Sequence, residues 1–233
     1  MSKEVQLYDL AGADPDVRFS PYCWRTRFAL AHKGLAVRTI PWRFHESPAL
    51  GFSGQNKVPV IVDGERTVHD SWTIALYLEQ TYPDRPSLFG SSAAIPVTRI
   101  VNAWVDGSLH GRILPLVILP VYQNIAAEDQ AYFRSSREAR FKTTLENYCA
   151  DSASHRERFH HSLEPLRMVL KQQTWLAGEK PGYADYIVAG SLQWPRVFLG
   201  AKLLDSKDPI AQWLDAVLSL HDGLGHSAKQ AAC

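Results

Sequence analysis

The sequence predicts an α/β domain followed by an all-helical domain. Three observations carry that prediction. Residues 5–40 read as strand, helix and strand, and residues 58–68 read as a hairpin. A cluster of proline, glycine and serine follows at 83–92. Beyond it apolar residues recur at helical spacing and no strand pattern returns. The expected division is 1–82 for the first domain, 83–92 for a linker and 93–233 for the helical domain.

The elements follow in order. Residues 5–10 alternate as a strand, and 11–19 form a loop. The helix expected over 21–33 has Pro21 at its first position and Gly34 at its end. Trp24, Phe28 and Ala31 share one of its faces. A second strand at 37–40 makes a β–α–β start, which implies a parallel pair with a right-handed crossover. Residues 43–56 contain Pro48, Gly51, Ser53 and Gly54 and are expected to be irregular or weakly helical. Asp63-Gly64 turns the hairpin, and Pro59 must sit at a strand start or edge. The helix over 71–82 shows an apolar stripe of Ile74, Ala75, Leu78 and Tyr82.

In the second domain Val101, Trp104, Val105 and Leu109 mark one helix, and residues 128–150 a second. Phe159, Leu163, Leu166 and Leu170 mark a third. Residues 183–198 and 209–220 give a fourth and fifth, and the tail from 223 is expected to be loose.

Composition excludes several classes. A net charge of +1 gives no electrostatic footprint for nucleic acid or an anionic membrane. Three scattered cysteines do not make a disulfide framework, and a reducing cytoplasm is expected. Met1-Ser2-Lys3-Glu4 lacks a signal sequence. The longest apolar run, 113–121, is shorter than the ~20 residues a bilayer needs, and Pro115 and Pro120 are expected to break it. The nine histidines include His155, His160 and His161, but no His-Glu-x-x-His pattern or paired Cys-x-x-Cys occurs, so no metal is expected.

Chemistry centres on Ser20, where a strand turns into a helix. A helix start offers unpaired N–H groups and a positive dipole end, and a hydroxyl there helps hold an anion. The plain alternative is an N-cap serine that closes its own helix. Ser20-Pro21-Tyr22-Cys23 resembles the Cys-Pro-Tyr-Cys site of glutaredoxins with the first cysteine replaced by serine. Taken with Lys57-Val58-Pro59-Val60 and the stretch from Asp70-Ser71 to Leu78, the chain resembles the glutathione transferase superfamily over nearly its whole length. That resemblance implies a thioredoxin-like first domain in the order β–α–β–(α)–β–β–α. Ser20-Pro21-Tyr22 followed by Trp24-Arg25-Thr26, with residues 132–141, resembles the bacterial β-etherases and the fungal etherase-related transferases.

The resemblance assigns roles. Glutathione is the implied co-substrate, and Ser20 would donate to its thiolate. A cis Val58–Pro59 bond would turn the Val58 backbone toward the cysteinyl part of the tripeptide. Lys57 would meet a carboxylate; its plain alternative is a solvated lysine. Asp70 and Ser71 would grip the γ-glutamyl end, and both are also ordinary helix caps. An apolar, aromatic electrophile would occupy the cleft between domains, with Tyr22, Trp104, Leu114 and Tyr122 as wall candidates. Gly182 and Asp185 resemble the family's capping-box segment, a structural role. A homodimer is implied. The alternatives are a thiol reductase acting through Cys23, a non-catalytic carrier of hydrophobic ligands, and an interaction module that has lost glutathione binding.

Overall fold

The structure, a computed structural model, describes residues 4–231. The expected absence of a leader and the last two residues of the expected loose tail lie outside the described residues.

Strands β1 (Val5–Leu10), β2 (Val37–Trp42), β3 (Val60–Asp63) and β4 (Arg66–His69) form one sheet in the order β2-β1-β3-β4. β1 and β2 are parallel, with Val5 opposite Val37. β1 with β3 and β3 with β4 are antiparallel, and Tyr8, Val60 and His69 lie side by side. Strand alternation splits the side chains. Val5, Leu7 and Ile61 join the main core with α1 (Pro21–His32) and α2 (Ser71–Thr81). Tyr8 and Leu10 turn to the other face, against Trp42, Leu50 and Val60. Leu50 belongs to a 3-10 stretch, Phe44–Ser53, where weak helix was expected.

The second domain is helical: α3 (Ala94–Trp104), α4 (His110–Asn124), α5 (Ala127–Phe141), α6 (Leu145–Cys149), α7 (Ser152–Ser162), α8 (Glu164–Leu170), α9 (Tyr183–Leu199) and α10 (Pro209–Gly223). No helix is long and apolar enough to cross a membrane among the described residues. α9 is buried on nearly every side, the pattern of a central helix. It packs on α1 so closely that Gly190 admits no side chain. The main core therefore runs unbroken from Leu7 and Phe28 to Tyr186 and Ile187.

Five expectations change. α3 and α4 are joined by a π-helical turn, Val105–Leu109, and the junction residues all keep right-handed helical angles. One rod thus runs from α3 to α4, where the apolar periodicity marks only its middle. Pro115 and Pro120 sit inside α4 and do not break it. The carbonyl that Pro115 leaves unpaired belongs to exposed Gly111, and burial of Ile113, Leu116, Val117, Ile118 and Val121 offsets the ~3 kcal/mol a helical proline costs. The helix expected over 128–150 divides at Lys142, which is left-handed at φ 57°. The one marked by Phe159 to Leu170 divides at Leu163 ahead of Pro165. The tail is held as far as Ala231, whose N–H donates to the Val197 carbonyl at 2.9 Å, while Gly225 caps Leu218.

Candidate active site

Sheet register places the predicted residues at one end. Tyr8, Val60 and His69 are neighbours, so the chain leaving β1, the chain entering β3 and the chain leaving β4 all meet there. These segments carry Ser20, Val58 and Asp70 respectively.

Ser20 is the N-cap of α1 and is 4% exposed. Its Oγ accepts from the Cys23 N–H at 3.3 Å, so the hydroxyl proton is left to donate elsewhere. The loop before it is fixed from below. Trp24 Nε1 donates to the Arg18 carbonyl at 2.9 Å, and Arg18 and Arg27 stand 3.5 and 3.7 Å from the buried Asp9 carboxylate. Burial outweighs both cations and raises the Asp9 carboxyl above the usual range. Cys23 is wholly buried one turn into α1, and burial, then Asp9, push its thiol well above an ordinary cysteine. A thiol kept protonated and covered is a poor nucleophile, which weighs against a reductase acting through Cys23.

The Val58–Pro59 bond is cis. Val58 is half-buried, and its N–H and C=O make no backbone hydrogen bond with another described residue. Lys57 beside it is exposed. Asp70 has φ 68° and caps α2, its Oδ1 accepting from the Thr73 N–H at 2.9 Å and the Thr73 hydroxyl at 3.1 Å. A positive φ at a non-glycine residue costs free energy and recurs at ligand clamps. Ser71 is buried, and its carbonyl accepts from the Tyr183 hydroxyl at 2.6 Å. That bond ties the second helix start to α9.

The wall candidates separate. Tyr22 is half-buried at the domain junction, its hydroxyl 3.3 Å from His110 Nδ1 and its ring edge-on to the imidazole. Leu114 is one helical turn beyond His110 and on the same side. Trp104 faces elsewhere: with Ser108 and Arg112 it lines an open cavity of about 1090 Å³ bordered by α7 and α8. Tyr122 packs on α5, where Arg134 lies 4.5 Å above its ring. Helical phase explains the split, because Trp104 and Asp106 differ by two positions and so by nearly half a turn.

A polar network not foreseen from the sequence lies behind Tyr22. Arg25 of α1 is fully buried and donates to Asp106 at 2.8 Å, Ser191 at 3.2 Å and Asn102 at 3.3 Å. Asn102 donates to the other Asp106 oxygen at 2.8 Å. Asp106 lies in the π turn and His110 just beyond it. Burial first, then the Arg25 cation, lower the His110 pKa to about 4. The available signal was a charged Arg25 directly after Trp24 and three residues before Phe28, both on the helix's apolar face.

Comparison with known proteins agrees with this architecture. Family models match residues 15–86, as "Glutathione S-transferase, N-terminal domain", and residues 97–220, as "Glutathione S-transferase, C-terminal domain". A glutathione transferase from Phanerochaete chrysosporium superposes with a TM-score of 0.85 at 23% identity, covering 100% of both chains. A glutathione S-transferase of Ceriporiopsis subvermispora, solved in complex with glutathione, gives a TM-score of 0.84 at 23% identity over 94% of this chain and 97% of that one. Curated relatives match over shorter spans. Glutathione S-transferase Z1 of Arabidopsis thaliana is 36% identical over 69 residues, 28% of this chain and 31% of that protein. A probable glutathione transferase of Aplysia californica is 31% identical over 80 residues, 34% of this chain and 86% of that protein. The matched span is thus under a third of the Arabidopsis protein's length.

The fold is that of two-domain proteins with a small mixed sheet and a helical second domain. This chain belongs to the glutathione S-transferase family.

Proposed function

We propose that the chain is a glutathione transferase that holds the tripeptide on its first domain and presents the thiolate to a hydrophobic, aromatic electrophile. The observation that carries this reading is the convergence, at one end of the sheet, of a donor hydroxyl at a helix start, a cis X–Pro segment with free backbone groups and a second helix start bearing Asp70-Ser71. Ser20 favours the thiolate by donating to it, aided by the positive end of α1. Val58 offers the tripeptide an N–H and a C=O as an added strand would. Lys57 and Asp70 supply charges of opposite sign for its carboxylate and ammonium ends. Orientation contributes much of the rate, since well-aligned partners reach effective molarities of about 10⁵ M or more. With a β-aryl ether the sulfur attacks the carbon bearing the ether oxygen, the C–O bond breaks and a phenolate leaves. The protein would act as a homodimer in the cytoplasm. Val97 and Ile100, three residues apart on α3, are largely exposed, an apolar strip that a second copy would cover.

Titration calorimetry with glutathione, followed by turnover of chlorodinitrobenzene and a panel of phenacyl aryl ethers, tests this reading. Binding with turnover is expected. Binding without turnover of any electrophile would favour a carrier instead.

A further inference from the structure

His110 is held in one orientation and one tautomer by groups from three elements. Ser191 of α9 gives its own hydroxyl proton to the Ile187 carbonyl at 2.8 Å, so its oxygen can only accept. It accepts from Arg25 Nη2 at 3.2 Å and stands 2.9 Å from His110 Nε2, nearer than Arg25 Nη2 itself, which is 3.4 Å from that nitrogen and makes its shortest bond to Asp106 at 2.8 Å. His110 Nε2 therefore carries the proton, and Nδ1 is bare. Nδ1 faces the Tyr22 hydroxyl at 3.3 Å, while Asp106 is 3.8 Å away, beyond hydrogen-bond reach. The Tyr22 proton is the one that fills that gap. Arg25 lies 4.7 Å over the Tyr22 ring and Trp194 meets His110 edge-on, so neither ring can swing aside. With Arg25 already bound to Asp106, the imidazole has no reason to charge, and burial keeps it neutral.

The phenol oxygen of Tyr22, its proton spent on His110, keeps only its lone pairs and so can act only as an acceptor. Its ring is half-buried two residues beyond Ser20, and the charges of Asp106 and Asp70 and those of Arg25 and Arg140 bear on it with opposite signs. Most hydroxyls serve either role. This one is committed.

We propose that His110 is a positioning residue that fixes Tyr22 as a hydrogen-bond acceptor in the cleft, and that this acceptor selects electrophiles bringing a hydroxyl or N–H donor to it. The inference rests on the transferase reading and names a property of its substrate. An acceptor left unpaired beside a bound electrophile disfavours analogues without the donor.

The test is a matched pair of phenacyl aryl ethers, one with a free phenolic hydroxyl on the ketone ring and the other with that hydroxyl methylated. The readout is the ratio of their kcat/KM values, so a loss common to both does not register. The native protein should prefer the hydroxyl compound by ~10-fold or more. Tyr22→Phe, which removes a single oxygen, should bring the ratio to near one. His110→Leu should do the same, whereas His110→Asn, whose amide oxygen stands where Nδ1 stood, should keep most of the preference. A native ratio near one, or a preference that survives Tyr22→Phe, overturns the inference while leaving the transferase reading intact. A native protein that binds no glutathione overturns both. If His110→Leu does not fold, Tyr22→Phe and His110→Asn still decide the matter.

Discussion

Gly190 on α9 stands against Pro21 on α1 with no room between them: a Cβ at Gly190 would lie 2.8 Å from the Pro21 carbonyl oxygen and 3.0 Å from the Arg25 backbone nitrogen. Both neighbours are backbone atoms and cannot rotate away. In an open helix Gly→Ala gains ~1 kcal/mol. Here Gly190→Ala should instead cost ~1–3 kcal/mol through overpacking. Thermal unfolding should show the midpoint falling by several degrees, at ~2–4 °C per kcal/mol for a chain of this size. An unchanged or higher midpoint would mean that the helices part without cost.

Ser20→Ala removes a cap and, on the proposed function, a thiolate donor. The cap alone is worth ~1 kcal/mol. The functional loss is separate and visible in pH dependence. The acid limb of kcat/KM for chlorodinitrobenzene should move upward by on the order of one pH unit, because the bound thiol loses a hydrogen bond to its anion. A profile that stays in place would leave Ser20 as a cap and nothing more.

Asp185→Ala should act on folding and leave the thiol alone. The Asp185 carboxylate accepts from Leu176 N–H at 2.7 Å, Trp213 Nε1 at 2.8 Å, Gly182 N–H at 3.0 Å and Ala177 N–H at 3.1 Å. Removing it strands two buried donors, the Gly182 N–H and Trp213 Nε1, and releases two part-buried ones, at a cost of ~2–4 kcal/mol. Urea unfolding should shift accordingly, while the pH–rate limb of the folded fraction stays at the native position.

Acid should loosen the molecule through its neutral histidines. His110, facing Arg25, Tyr22 and Asp106, has a folded pKa of about 4 against an ordinary 6.5, and burial lowers His32 and His221 as well. The unfolded chain takes up protons below about pH 6.5 that the folded chain refuses, so stability falls as pH drops from there toward 4. His110 alone should cost ~2 kcal/mol at pH 5. Urea titrations at pH 7 and pH 5 measure this, and His110→Asn, which cannot titrate, should flatten part of the slope.

Thiol labelling should discriminate between cysteines. Cys23 is wholly covered while Cys149 is only half-buried. Iodoacetamide should modify Cys149 well before Cys23 under native conditions, as followed by peptide mass mapping. Fast labelling of Cys23 would reopen the reductase alternative.

Much of the first domain was legible because its signals are local. Val5 and Leu7 alternate, Pro21 and Gly34 bracket α1, and Asp63-Gly64 turns the hairpin. The second domain was legible as helix but not in its breaks. Lys142 interrupts a periodic stretch by turning left-handed with no glycine to announce it, Leu163 marks a break that Pro165 signals but the apolar stripe hides, and Pro115 sits in a helix because its neighbours are buried deeply enough to hold it. Ser20, Val58 and Asp70 were readable as motifs. Arg25, Asp106, His110 and Ser191 were not, because they come from three separate stretches and meet only once α1, the rod that carries the π turn and α9 are packed.

The widened turn between α3 and α4 sets the phase of everything downstream of it. An ordinary α-helix advances 100° per residue. A natural variant lacking one residue anywhere in 105–109 would keep a straight, uninterrupted cylinder and lose nothing in helical propensity. It would nevertheless rotate the imidazole and Leu114 by more than a quarter of a circle, away from the junction. Within this lineage, insertion and deletion at that single spot offer a route to new chemistry at the cleft without touching the sulfur's cradle.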